Sequence, residues 1–226
     1  MNQIIIDNKH KIDTACQLCF YKLSDYNKAV EEFHQKRHEI TNAVIYSQRE
    51  QERQVNEAAE TLSKAAQVCY DEIKHNLDTM RGAAAEMENL LDIGEDLQNA
   101  LSVVKKLGQA MPRETRFGLV RQFKGQKQAL LILKAAYEDA GLVAELYFEG
   151  LVFSADTYLD KLDDMAHRIV AQPGQDSLVV ISFGTELEKF ADSLGVELTK
   201  RFGDIAGTYA GLTDVLRSAA GLGTAD

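Results

Sequence analysis

The run VNEAAETLSKAAQVCYDEIKHNLDTM, residues 55–80, sets Val55, Ala58, Leu62, Ala65, Cys69, Ile73, Leu77 and Met80 three or four positions apart. That spacing keeps one side of an α-helix apolar. The pattern carries on through Ala84, Met87 and Leu91 to Leu97, Leu101 and Val104. A matching seam precedes it: Ile12, Cys16, Cys19, Leu23, Tyr26, Val30, Phe33, Ile40 and Val44. No glycine occurs before Gly82, and Pro112 is the first proline. These two residues interrupt helices most reliably, glycine by entropy and proline by a lost donor and a ring clash. Both seams are narrow and heptad-like, which points to coiled-coil packing.

Between the seams, residues 47–54 read Ser-Gln-Arg-Glu-Gln-Glu-Arg-Gln. A tight turn recruits Gly, Pro, Asn or Asp, and the octapeptide has none of them. Gln, Glu and Arg are good helix formers. The reading therefore favours one continuous rod over a helical hairpin with its tip at this octapeptide. A helix over the first 81 residues would span on the order of 120 Å at about 1.5 Å per residue. A rod of that length has to pack on other helices, from its own chain or from copies of it.

Punctuation arrives with Gly108 and Pro112, and twelve of the fifteen glycines lie beyond Gly108. Thr115 to Ala140 reads as an amphipathic helix carrying Leu119, Phe123, Leu130, Leu133 and Tyr137, with Gly141 as its cap. Residues 142–153 fit either a continuing helix or a short hairpin turned at Glu149-Gly150. Asp156 to Ala171 is helical again, and Gln172-Pro173-Gly174 is a turn. Leu178 to Phe183 has strand-like composition. Thr185 and Glu188 match a capping box that opens a last helix through Phe190, Leu198, Phe202, Tyr209, Leu212 and Leu216.

The fold class expected is mainly α: an antiparallel coiled coil of long helices or an elongated helical bundle. Residues 1–111 form the coiled-coil rod and residues 112–226 a C-terminal helical bundle. A small β element within 142–183 is the alternative.

The 226 residues are 45% hydrophobic and 27% charged, as in a folded protein, with a net charge of -10. That charge sets the whole molecule against nucleic acid and anionic membranes. Cys16, Cys19 and Cys69 are an odd number in helix-like sequence, which suits a reducing compartment. The N-terminus lacks the basic region of a signal peptide, and no stretch is apolar enough for a membrane helix. A cytoplasmic protein is expected.

Several constellations are candidates for chemistry. Gly203, Gly207 and Gly211 recur every four residues and would let another helix approach closely; fraying is the competing reading. From Lys105 to Lys134 eight basic residues face Glu114 alone, and from Glu138 to Asp164 eight acidic residues face Lys161 alone. On one ideal helix the cations from Arg113 onward, among them Arg116, Arg121, Lys124 and Lys127, fall within roughly 140° of arc. A solvated face, head-to-tail contact between copies, and nucleic-acid binding compete to explain them. Cys16-Gln-Leu-Cys19 lies inside a helix with both sulfurs on the core seam, unlike a redox or zinc motif. His34 and His38 stand one turn apart, but Lys36 and Arg37 between them repel a metal. Asp156, Asp160, Asp163 and Asp164 lack calcium-loop spacing and read as the wet side of a helix.

No nucleophile elbow, phosphate loop or dinucleotide fingerprint is present. The expectation is a non-enzymatic helical scaffold, spacer or interaction module that needs no cofactor or metal and self-associates through its seams. The residues expected at contacts are Val30, Phe33, Leu62, Leu77, Leu91, Phe202, Gly203, Gly207, Gly211 and Leu212. One alternative is the soluble form of a membrane-remodelling or pore-forming protein, inserting 142–153 and 178–183. The other is an adaptor that presents the 113–134 basic face to an acidic partner or nucleic acid.

Overall fold

A computed structural model of the chain describes residues 2–43, 45–90, 93–149, 151–175 and 177–205. The helices are α1 (Gln3–Asn42), α2 (Gln48–Asn89), α3 (Glu95–Leu107), α4 (Arg113–Arg121), α5 (Lys127–Asp139), α6 (Glu145–Phe148), α7 (Ala155–Ala171), α8 (Ser177–Ser193) and α9 (Phe202–Ile205). A 3-10 turn covers Gly108–Ala110. The protein is a mainly α helical bundle, and no strand occurs among the described residues. None of the described helices is long and apolar enough to cross a membrane.

The continuous rod is corrected. α1 stops at Asn42 and α2 starts at Gln48. The break falls just ahead of the polar octapeptide, and Ser47 makes it. Its carbonyl accepts the Glu50 and Gln51 N–H groups at 3.0 Å each, and its Oγ accepts the Glu50 N–H at 3.3 Å. The Gln51 side chain donates to the Ala43 carbonyl at 3.1 Å, so one exposed end supplies a partner to the other. Helix ends leave backbone groups unsatisfied, and these bonds answer several of them without any glycine. Glu50 points forward to Arg53 and Gln54, so only half of a Ser-x-x-Glu capping box forms.

The chain divides into two compact units built from interleaved segments. The first takes the chain up to Ala15, Asp78–Asp160 and Lys189–Leu198. Within it α1 and α2 are joined by Asn8 donating to Glu86 at 2.8 Å. Its main core gathers α3 through α6: Leu97, Val104, Val120, Leu130, Leu133 and Tyr137 are buried together. The single helix expected over 115–140 is broken, because the chain turns at 122–126 between α4 and α5. Gly125 sits there at φ +80°, where a Cβ would lie 2.6 Å from the Leu194 carbonyl oxygen and 2.8 Å from Met87 Cε. Only glycine accepts both that backbone and that approach. The Gly141 cap forms as expected: the Leu142 N–H reaches the Tyr137 carbonyl and the Gly141 N–H the Glu138 carbonyl, both at 2.9 Å.

The second unit takes Cys16–Leu77, Lys161–Glu188 and the described residues from Thr199 onward. Within it the Cys69 thiol donates to the Lys22 carbonyl and Gln51 to Ala43, so α1 and α2 run antiparallel. The seam positions Cys16, Cys19, Leu23, Leu62, Cys69, Ile73 and Leu77 are buried. The expected turn at 172–174 closes with the Gly174 N–H donating to the Tyr26 hydroxyl at 2.9 Å. The Phe202 ring packs 5.6 Å from that of Phe20.

The β alternative is not realised among the described residues, in keeping with the mainly α reading, but the capping box and the last helix are corrected. The strand-like 178–183 run is the start of α8, where Val179, Val180, Phe183 and Leu187 are buried at helical spacing. Burial of that face outweighs β-branched composition. Thr185 is consequently mid-helix, exposed, and caps nothing. The last helix is also interrupted, since α8 ends at Ser193 and 194–201 is irregular before α9. Gly195 (φ +66°) ends it with the pair of bonds seen at Gly141. Val44, Leu91, Gly207, Tyr209, Gly211, Leu212 and Leu216 lie outside the described residues.

Candidate interaction surface on α4

α4 begins directly after Pro112, whose fixed φ of -58° leads the chain into the helix. Arg113, Phe117 and Arg121 follow at intervals of four, so their side chains stack along one face. The guanidinium carbons of Arg113 and Arg121 lie 5.6 and 5.9 Å from the Phe117 ring centre. Both arginines are exposed, and neither forms an ion pair with a described residue. A cation over a ring face is held electrostatically while keeping its hydrogen-bond donors free.

Arg116 is tied inward. It donates to the Tyr147 hydroxyl at 3.1 Å and to the Gln109 carbonyl at 2.7 Å, and its Nε is buried without a partner. Phe117 meets the Tyr147 ring edge-on at 4.8 Å, which joins α4 to α6. The Tyr137 hydroxyl donates to the Arg116 carbonyl at 2.8 Å, and burial pushes that phenol up to about 12. The exposed pair therefore stands on a rigid aromatic base.

The turn at 122–126 divides the cations that one ideal helix would have aligned. Lys124 pairs with Asp192 at 2.9 Å, Lys127 with Glu88 at 3.6 Å, and Lys134 with Glu138 at 3.9 Å. Of the six cations from Arg113 to Lys134 expected on one face, only Arg113 and Arg121 are outward and form no ion pair with a described residue. The 113–134 face as a single stripe is corrected accordingly.

The acidic block has an outward part too. Asp139, Glu145 and Glu149 are exposed and form no ion pair with a described residue. Val143 and Leu146 beside them are 67% and 49% exposed. Asp156 and Asp160 are not simply the wet side of α7: Arg81 bridges both, at 2.9 Å each.

Among the remaining positions, Leu62, Leu77 and Phe202 are buried, while Val30, Phe33 and Gly203 are half-buried. Burial pushes the Cys69 thiol up to about 12 and Cys19 well above the ordinary thiol range. His34 and His38 are exposed, and no group of residues that would hold a metal occurs among those described. The Arg113–Phe117–Arg121 stack went unread in the sequence, although its i, i+4 spacing was visible there. Comparison with protein families, with curated proteins and with solved structures finds no match to this chain.

Proposed function

We propose that this protein is a non-enzymatic helical scaffold of the cytoplasm that assembles with copies of itself, head to tail. The observation that carries the reading is the unpaired Arg113–Phe117–Arg121 stack on α4, with the unpaired carboxylates Asp139, Glu145 and Glu149 around Val143 and Leu146 in the same unit. Opposite charges on two different patches of one molecule favour a heterologous contact, each copy offering its cations to the acidic corner of the next. The apolar side chains at both patches supply area that charge alone does not.

This revises the route of assembly expected from the sequence. Leu62, Leu77 and Phe202 are 3%, 2% and 1% exposed, so they are spent within the chain and have little surface to offer a copy. The buried cysteines support the reducing location. The test is the molar mass in solution of wild type and of Arg113→Glu/Arg121→Glu, at about 50 and 500 mM salt. Assembly should appear in wild type at low salt and weaken in the double variant and at high salt. A wild-type monomer throughout would overturn the proposal.

A further inference from the structure

We infer that Lys9 is a site of covalent acylation by small activated acyl donors of the acyl-phosphate class. The inference does not rest on the assembly proposal. Lys9 lies on α1, and its Nζ packs against the turn that follows α8. A Cβ on Gly195 would stand 3.1 Å from that Nζ and 2.9 Å from the Lys124 Cβ. Two lysines therefore converge on a residue that has no side chain, at φ +66°, and a larger residue there would displace the amine.

The amine has no partner. Lys9 is half-buried and forms neither a hydrogen bond nor an ion pair with a described residue. The Asp192 carboxylate at the end of α8 is taken by Lys124 at 2.9 Å, and Lys124 also donates to the Asp192 carbonyl at 3.1 Å. Glu197, past the turn, attracts the Lys9 ammonium without pairing with it. On α1 itself Asp13 stands one turn on and is buried. An ammonium carries three donors, and here it loses water without gaining a bond. Burial therefore lowers its pKa below the ordinary lysine value, with Lys124 acting in the same sense and Glu197 against it. A lysine desolvated beside a second cation is an activated nucleophile. Its neutral Nζ attacks the acyl carbonyl carbon: the C–N bond forms, the C–O bond to phosphate breaks, phosphate leaves with the electron pair, and the amine proton passes to water. The amide is uncharged, so acylation also ends the repulsion from Lys124.

The probe is acetyl phosphate, incubated with the full-length protein, with acetylation at each lysine followed by peptide mass spectrometry. Lys36 is the reference, being exposed on the same helix without an ion pair to a described residue. At about pH 7.5 Lys9 should be acetylated about fivefold faster than Lys36 or more, because a larger fraction of it is unprotonated. The ratio, read within one sample, should fall as the pH rises toward about 10, where Lys36 also loses its proton. Lys124→Gln should slow Lys9, and Glu197→Gln should speed it about twofold or more by removing the opposing charge. Glu197 is exposed, so that variant keeps the test open should Lys124→Gln fail to fold. Acetylation of Lys9 no faster than of Lys36 at about pH 7.5, or at one rate in wild type and Glu197→Gln, would overturn the inference.

Discussion

Replacing Gly184 by alanine sets helix propensity against packing, and the structure decides the sign. Gly184 lies inside α8, where alanine alone would gain about 1 kcal/mol over glycine. Its new Cβ would stand 2.5 Å from Phe202 Cδ1 and 2.6 Å from Cγ, far inside van der Waals contact. The ring cannot easily yield, being 1% exposed and packed on Phe20. Overpacking of this kind costs about 1–3 kcal/mol, and a contact so short belongs in the upper part of that range. The net expectation is a loss of about 1–2 kcal/mol. Gly82 is the internal control: it is also mid-helix, in α2, and nothing lies within 4 Å of its Cβ position. Gly82→Ala should therefore stabilise by about 0.5–1 kcal/mol. Urea unfolding followed by circular dichroism reads both as opposite shifts of midpoint at constant slope. In a Phe202→Ala background, itself about 3–5 kcal/mol less stable, the Gly184→Ala effect should reverse to a gain. If Gly184→Ala stabilises the wild-type protein as Gly82→Ala does, the placement of Phe202 on α8 is refuted.

Two other outcomes follow from the same packing. Ser47→Ala should cost about 1 kcal/mol by uncapping α2, and Ser47→Asp should recover most of it in the same unfolding assay; equal losses would remove Ser47 as the cap. Stability should also fall in alkali. Cys69 and Tyr137 are raised from ordinary values of 9 and 10 to about 12, so below pH 9 their contribution is complete. Above pH 9 the unfolded thiol ionises, and above pH 10 the unfolded phenol, while the native groups stay protonated. The contribution is thus lost between about pH 9 and 12. The urea midpoint should drop from pH 8 to 11, less steeply in Cys69→Ala; a wild-type midpoint that stays level would contradict the burial of these groups.

What was legible in the sequence was whatever depended on one helix at a time. The spacing of Leu62, Cys69, Ile73 and Leu77 fixes a buried face wherever the partner lies, and Gly141 caps its helix by local bonds alone. What escaped depended on tertiary contact or on a weak local signal. Ser47 was read with the helix-forming residues after it, although Ser-x-x-Glu also begins a helix. Val179, Val180 and Phe183 have strand composition, which left a β alternative open beside the helical reading until their burial in α8 closed it. Gly125 looks like any mid-helix glycine until the Leu194 carbonyl and Met87 arrive beside it. That same break separates Arg121 from Lys124, so the charge run was visible as composition but not as two surfaces.

The most direct test of the assembly proposal is sedimentation equilibrium of the wild-type chain at about 50 mM salt over a hundredfold range of concentration. The account predicts a mass that climbs above 25.1 kDa with concentration, and that returns toward it in Arg113→Glu/Arg121→Glu. A mass of 25.1 kDa for the wild-type chain across the whole range would contradict it.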